Sequence, residues 1–304
     1  MSSIVERIRH VSDNTNFSLD TKVITAKLEL TGICPMQCSF CYNKIMKEKN
    51  ERQRIISDYD FKLMLDAMDE LGTIKEIGLF YMGESTIHPK LCDYYRILKN
   101  RGYYTYLTTN LFVNTITDAI PYIDSIKVSW NYRNENDFKD TIKSDNWKNT
   151  MNNLIKNIKD LYVECHKNGH TLSISSVLRP GDTTKDYCEY MKLLPHDEWY
   201  FLPMQSQGGL VDLTGRDGVV GDFNKQVSPL PCWSLFNGFY VDCELNVRTC
   251  CYGNDSKHIL MNLNKDKFTK EEYYARKKEY MKMHLHHKIP NICTNCLKDQ
   301  EEGD

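Results

Sequence analysis

Cys34-Pro35-Met36-Gln37-Cys38-Ser39-Phe40-Cys41 comes directly after Val23-Ile24-Thr25-Ala26-Lys27-Leu28-Glu29-Leu30-Thr31. The earlier run alternates apolar with polar residues and is rich in β-branched side chains, so it reads as a strand. Gly32 and Pro35 mark the loop that leaves it. Three thiols within eight residues therefore stand at the carboxyl end of one strand. Three thiolates in a tight loop cap three corners of an iron–sulfur cube and leave the fourth iron open. A tetrahedral zinc site wants a fourth protein ligand nearby, usually from paired C-x-x-C units. The spacing here is C-x3-C-x2-C.

Outward from this stretch, strand-like and helix-like segments alternate. The Lys/Glu-rich stretch 42–54 reads as a solvated helix. Ser57 caps a helix through Phe61, Leu63, Leu65, Met68 and Leu71, and Gly72 stops it. Further strands are predicted at 76–82, 103–108, 125–130, 172–178 and 199–203. Helices are predicted at 89–99, near 113–120, at 147–167 and at 186–194. Six strands alternating with helices predict parallel β/α units joined by right-handed crossovers. Ligands of such sheets gather at the carboxyl ends of the strands, where the cysteine loop lies.

A chain of 304 residues buries one sizeable core plus a small second module. Hydrophobic content of 41% and charged content of 26% are ordinary for a globular protein. A net charge of −2 gives no argument for a nucleic-acid partner or a membrane surface. No apolar run reaches bilayer length, and the first residues lack the apolar core of a signal peptide. Twelve cysteines in such a chain point to metal ligation in a reducing cytoplasm rather than to a disulfide scaffold.

The three-cysteine spacing, with Phe40 just before the last thiol, resembles the signature of the radical S-adenosylmethionine (SAM) superfamily. Met82-Gly83-Glu84-Ser85, followed by Ile87-His88-Pro89-Lys90-Leu91, is similar to that family's Gly-Gly-Glu segment. Met82 stands for the first glycine and Ser85 for the usual proline. Thr109-Asn110 closes the third strand where the family often has Thr-Asn-Gly, with Leu111 in place of that glycine. Ser129 ends the fourth strand where a serine often contacts the cofactor. Lys143 stands roughly where related enzymes keep an arginine for the SAM carboxylate; lysine keeps the charge and loses the bidentate fork.

The resemblance implies a partial (β/α)6 TIM barrel of class α/β over 23–203, with an N-terminal extension at 1–22. It implies a [4Fe–4S] cluster on Cys34, Cys38 and Cys41, with SAM on the open iron. The amino group of SAM would be held by Gly83 and Glu84, its adenine near Phe40, and other parts by Asn110, Ser129 and Lys143. Ordinary strand-end or surface roles stand as the alternative for the last three.

After Pro203 the chain loses periodicity, and 204–231 reads as a linker or active-site loop. Within 232–304, Pro231-Cys232-Trp233, Val247-Arg248-Thr249-Cys250-Cys251 and Cys293-Thr294-Asn295-Cys296 form a second cysteine pattern. It resembles the SPASM/twitch extension of radical SAM enzymes, in which a β-hairpin and a later C-x-x-C hold an auxiliary [4Fe–4S] cluster. That resemblance implies Cys232, Cys250, Cys293 and Cys296 as ligands, and a zinc ribbon on the same thiols remains open. Cys243 and Cys251 are then near-cluster thiols, candidate ligands or hydrogen-atom donors. Cys92, Cys165 and Cys188 fall in predicted helices and read as buried small hydrophobes. The stretch 265–288 reads as a solvated helix with one greasy stripe, which leaves His284, His286 and His287 without a binding role.

The layout is most similar to twitch alcohol dehydrogenases. It implies oxidation of an alcohol carbon of a sugar, cyclitol or related small metabolite, with electrons from a flavodoxin or ferredoxin. Redox-neutral epimerisation with Cys251 or Cys243 as hydrogen donor is the second reading, and modification of a ribosomal peptide the third. A cluster- or zinc-bearing binding protein is the non-enzymatic alternative. Substrate contacts are expected from strand ends and from the 204–231 loop, with Arg179, Gln205 and Arg216 as polar candidates.

Overall fold

The computed structural model describes residues 10, 14–112, 116–142, 145–204, 207, 211, 231–252, 258–286, 288, 290 and 293. Six strands alternate with helices: β1 Thr25–Leu28, β2 Glu76–Gly78, β3 Tyr104–Thr109, β4 Ser125–Ser129, β5 Leu172–Leu178 and β6 Glu198–Pro203. All neighbours among them pair in parallel, in sequence order from β1 to β6. This is the mixed α/β fold with a parallel core that the alternation predicts. The helices are α1 Asn43–Glu48, α2 Asp58–Leu71, α3 Leu91–Asn100, α4 Glu135–Ile142, α5 Trp147–Lys167 and α6 Cys188–Leu193.

Local chemistry accounts for the elements. The hydroxyl of Ser57 accepts from the Asp60 N–H, and the Asp60 carboxylate accepts from the Ser57 N–H at 2.8 Å. That reciprocal pair fixes the start of α2. Gly72 ends it at φ 66°, a left-handed turn that costs glycine nothing. On the helix-facing side of the sheet, Ala26, Leu28, Ile77, Leu107, Ile126, Val128, Leu172 and Ile174 are buried. They pack in one core with Phe61, Met64 and Met68 of α2, Tyr95 and Leu98 of α3, and Leu154, Ile158 and Leu161 of α5.

Because side chains alternate across a strand, the other face carries Lys27 of β1 and Glu29 just beyond it, Glu76 of β2, Tyr106 of β3, Lys127 and Ser129 of β4, Ser173 and Ser175 of β5, and Tyr200 of β6. This concave face is polar and aromatic, unlike the helix-facing one.

The structure differs from the sequence reading at element ends. The 42–54 stretch forms only the six-residue α1, after which Asn50 and Arg52 turn left-handed at φ 54° and 57°. The helix near 113–120 is a short 3-10 turn over Thr117–Tyr122 that holds Pro121; residues 113–115 lie outside the described residues. The α4 helix is an addition, too short and polar to show periodicity.

The chain then returns to the sheet. Strand β7 (Gly238–Val241) lies parallel to β1, and β8 (Asn246–Arg248) and β9 (Ile259–Asn262) continue antiparallel from it. The nine strands form one sheet, β6-β5-β4-β3-β2-β1-β7-β8-β9. Helices α7 (Trp233–Asn237) and α8 (Lys270–Leu285) flank this hairpin. Among the described residues no helix is long and apolar enough to cross a membrane.

Candidate active site

Beyond β1, Thr31 bridges to Ile55 and the chain enters the three-thiol loop. The loop is pinned at several points. The Gly32 carbonyl accepts from the Asn43 side chain at 3.1 Å, and the Ile33 carbonyl accepts from the Glu84 N–H at 2.9 Å. The Gln37 N–H donates to the Thr141 carbonyl of α4 at 3.2 Å. Cys34, Cys38 and Cys41 are free thiols, each half-buried. Burial pushes the Cys34 thiol up to about 12, helped by the Glu84 carboxylate and by Cys41. Burial likewise raises Cys38, followed by the charges of Cys41 and Cys34. It also raises Cys41. Three thiols that repel one another as anions are a donor set that a multiply charged cationic core satisfies, with release of their protons. Among the described residues no group of three or more His, Cys, Asp or Glu side chains is placed to hold a single metal ion.

The Met82-Gly83-Glu84-Ser85 segment lies against this loop. Glu84 is buried and its oxygens are largely engaged. Oε1 accepts from the Thr86 N–H at 3.1 Å, the Thr86 hydroxyl at 2.8 Å and the Thr109 hydroxyl at 2.6 Å. Oε2 accepts from the Asn110 N–H at 2.8 Å. Spare acceptor capacity is confined to Oε2, so Glu84 is first a strut between the ends of β2 and β3. Burial raises its carboxyl and those four hydrogen bonds pull it back down. Asn110 in turn points its amide Nδ2 at Cys34 Sγ, 3.5 Å away. Ser129 ends β4 in register with Ser175. Phe40 packs in a small apolar cluster with Tyr42, Met46, Met82, Val177, Met204 and Val211, and its carbonyl accepts from Gln207 at 2.9 Å. Lys143, Gln205 and Arg216 lie outside the described residues. Arg179, read as a substrate contact, is spent on Asp137 at 2.6 Å and Asp182 at 3.0 Å.

Gly83 has no room for a side chain: a Cβ there would sit 1.9 Å from the Thr31 carbonyl oxygen. Gly83→Ala must push the segment away from the thiol loop. We expect it to lower stability by more than the ~1–3 kcal/mol typical of overpacking and to weaken SAM binding, read by thermal melting and equilibrium dialysis.

Sequence reading missed the group behind this loop. Glu29, 1% exposed, forms an ion pair with Arg52, 4% exposed. Glu29 Oε1 also accepts from the Met82 N–H at 3.0 Å and the Gly83 N–H at 3.3 Å, and Oε2 accepts from the Cys243 N–H at 3.0 Å. Arg52 donates to the Tyr42 hydroxyl at 2.9 Å and lies 5.3 Å from the Tyr81 ring. Burial alone lowers the guanidinium's proton affinity, but Glu29, Tyr42 and Asp242 carry it well above the ordinary value. The Tyr81 hydroxyl donates to the Cys250 carbonyl at 3.0 Å. Tyr42, Arg52 and Tyr81 therefore join the first thiol loop to the second cysteine region.

That second region brings together Cys232, Cys250, Cys251 and Cys293. Burial raises Cys232 to about 11 and Cys293 to about 12, with Cys251 adding to both. Burial raises Cys250 too, then Cys251, Cys293 and Cys232. Cys296 lies outside the described residues. Ser234 donates to Cys251 Sγ at 3.6 Å.

Two α8 residues that the periodicity assigned to a solvated helix are buried here. His284 accepts from the Cys232 N–H at 3.4 Å, and its Nε2 lies 3.3 Å from Cys293 Sγ. His286 is exposed, and His287 lies outside the described residues. Lys277 is fully buried and donates to the Gly238 carbonyl at 2.8 Å, with no carboxylate partner among the described residues. Burial pushes its ammonium down to about 7, against the charges of Cys250 and Cys232.

Cys243 is elsewhere. Its thiol donates to the Arg52 carbonyl at 3.5 Å and is fully buried, apart from the other C-terminal thiols.

Comparison with known proteins agrees with this geometry. The model of the radical SAM superfamily matches residues 28–194. A stretch of 86 residues is 29% identical to the tungsten-containing aldehyde ferredoxin oxidoreductase cofactor-modifying protein of Pyrococcus furiosus; it takes in 27% of this chain and only 22% of that relative. The fold is similar to that of BtrN, solved in complex with AdoMet and 2-DOIA, at TM-score 0.57 and 13% identity, covering 91% of this chain and 94% of that one. It is also similar to Streptococcus suis SuiB, solved bound to the precursor peptide SuiA, at TM-score 0.57 and 11% identity, covering 92% of this chain and 68% of that one.

Proposed function

Because this chain belongs to the radical SAM superfamily, we propose that it oxidises an alcohol carbon of a sugar, cyclitol or similar small metabolite by two electrons. Cys34, Cys38 and Cys41 would hold the [4Fe–4S] cluster that binds SAM, and Cys232, Cys250, Cys293 and Cys296 an auxiliary one. Bound together, cluster and SAM would supply the chemistry that removes a hydrogen atom from an unactivated carbon, and an auxiliary cluster would supply an acceptor for the second electron.

The chain's own part is placement and exclusion. Glu84 and Glu29 hold the backbone of Met82-Gly83 against the thiol loop, and Asn110 directs an N–H at Cys34. Phe40, Met82, Val177 and Met204 make an apolar wall beside it that keeps water from a reactive centre. The observation that carries the proposal is the second thiol group on the same sheet, joined to the first through Tyr81 and Arg52.

The small-metabolite class is supported by a likeness that takes in nearly all of BtrN but two thirds of SuiB. Peptide modification is the second reading, because the likeness to peptide-bound SuiB spans most of this chain. For epimerisation, Cys251 would be the hydrogen donor, because Cys243 is fully buried with its thiol on the Arg52 carbonyl.

Anaerobically reconstituted protein with SAM, substrate and reduced flavodoxin or ferredoxin should form one 5′-deoxyadenosine per carbonyl product. A product of unchanged redox state, carrying solvent deuterium at the reacting carbon, would show epimerisation instead.

A further inference from the structure

The concave face of the sheet carries two ammonium groups that the site described so far does not use. Lys27 stands on β1, in register with Gly78 on one side and Tyr240 on the other. Lys127 stands on β4, in register with Thr108 and Ser173. Both are half-buried and face inward, one side-chain step below Glu29, which follows β1, and Ser129, which ends β4, near the thiol loop. Neither has a carboxylate partner among the described residues.

Their nearest neighbours are aromatic faces. Lys27 Nζ lies 5.4 Å from the Phe80 ring centre and 6.0 Å from that of Tyr240, and Lys127 Nζ lies 5.7 Å from that of Tyr200. Three carboxylates lie toward this face, and none forms an ion pair with either lysine: Glu198 accepts from the Ser173 hydroxyl at 3.1 Å, Glu29 is paired with Arg52, and the buried Glu76 of β2 stands in register with Thr25 and Tyr104. Burial, then the Lys27 charge, pushes the Lys127 ammonium down to about 8. Strands β1 and β4 are three strand spacings apart, about 14 Å in a flat sheet. Their charges bear on each other because the face is concave. Two cations turned into an enclosed space, with ring faces as their nearest partners and no ion pair of their own, favour an anionic group that joins them.

We propose that Lys27 and Lys127 form a subsite for an anionic group of the substrate, a phosphate or a carboxylate, beneath the three-thiol loop. The inference rests on the proposed function, since it assigns that enzyme's substrate to the class of phosphorylated or carboxylated metabolites. Lysine is a compact point charge that suits either anion. Ser129 offers a hydroxyl donor on the same face, whereas Ser173 gives its own to Glu198 and Ser175 bonds to Tyr200. An anion seated there would leave the carbon skeleton above it, toward the thiol loop.

The test uses the reconstituted protein and two probes, inorganic phosphate and malonate, with affinities from calorimetry and melting curves. Each lost charge-assisted contact should weaken binding at least about tenfold. Lys27→Met and Lys127→Met should show that loss, and Lys127→Arg should retain most of the affinity. General salting effects of phosphate act on all variants alike, so the difference between variants is the readout. If a methionine variant fails to fold, acetylation footprinting of the wild type decides: phosphate or malonate should shield Lys27 and Lys127 selectively. Preference for phosphate over malonate, or the reverse, identifies which anion the substrate carries. No affinity for either probe, equal affinity in all variants, or unshielded lysines would overturn the proposal. Wild-type SAM cleavage in the absence of substrate is scored separately, so failure of the radical SAM reading and failure of the subsite are distinguishable.

Discussion

Cys38→Ala is expected to abolish 5′-deoxyadenosine formation and to remove one cluster's worth of iron, while leaving a folded protein. Cys38 lies in a loop whose anchors are backbone and side-chain bonds made by other residues: Ile33 to Glu84, Gly32 to Asn43, and Gln37 to Thr141. Removing a thiol from that loop therefore costs little packing. It leaves only two thiols where a cluster with one open iron needs three. The loss of turnover should exceed the roughly 10–100-fold cost of removing an outer-shell partner. Cys34→Ala and Cys41→Ala should behave alike, whereas Cys92→Ala and Cys188→Ala should leave iron content unchanged. Iron analysis, circular dichroism and product chromatography check all three parts.

Glu29→Ala carries the largest expected cost in stability. It strands the Arg52 guanidinium in the interior, 4% exposed, and removes the acceptor of the Met82, Gly83 and Cys243 N–H groups. Breaking a buried pair by removing one partner costs about 3–5 kcal/mol. For a chain of this size that lowers the melting temperature by about 10 °C. The double replacement Glu29→Leu with Arg52→Met should be less harmful than Glu29→Ala alone, because no uncompensated charge is left. It should still impair SAM binding, since Met82-Gly83 loses its tether. Thermal melts of the three variants, with and without SAM, separate the two effects. A double replacement as unstable as the single one would show that the pair contributes packing rather than charge balance.

What the sequence discloses here depends on whether a feature is local. The three-thiol loop, the alternation of strands and helices, and the Ser57 and Gly72 boundaries are local chemistry, and each is read from adjacent residues. So is Gly83, whose neighbours announce a tight segment. Glu29 and Arg52 are 23 residues apart. Arg52 sits in a run of charges that a helical pattern makes solvated, and a left-handed turn at φ 57° redirects it inward. Period-two alternation along β1 and β4 contains Lys27 and Lys127, but a polar position on a strand normally faces water, and only the closure of the sheet makes it an interior. Lys277 and His284 lie within one helix whose sequence is charged on nearly every side; Lys277 is buried against Gly238 of β7, and His284 against Cys232 and Cys293. Cys243 and Cys251, equivalent as spare thiols in the sequence, are set apart by strand β8: Cys243 lies in the turn before it and Cys251 just beyond it. In each case tertiary placement, not residue type, decides the role.

The central claim is that the thiols of Cys34, Cys38 and Cys41 hold a four-iron cluster with one iron free for SAM. The most direct measurement is electron paramagnetic resonance of the reduced Cys232→Ala, Cys250→Ala double variant, which isolates the N-terminal centre, with iron and zinc counted on the same sample. The account predicts about four irons per chain, no stoichiometric zinc, and a [4Fe–4S]+ signal whose g-values shift when SAM is added. Zinc in place of iron, or a cluster signal indifferent to SAM, would contradict it.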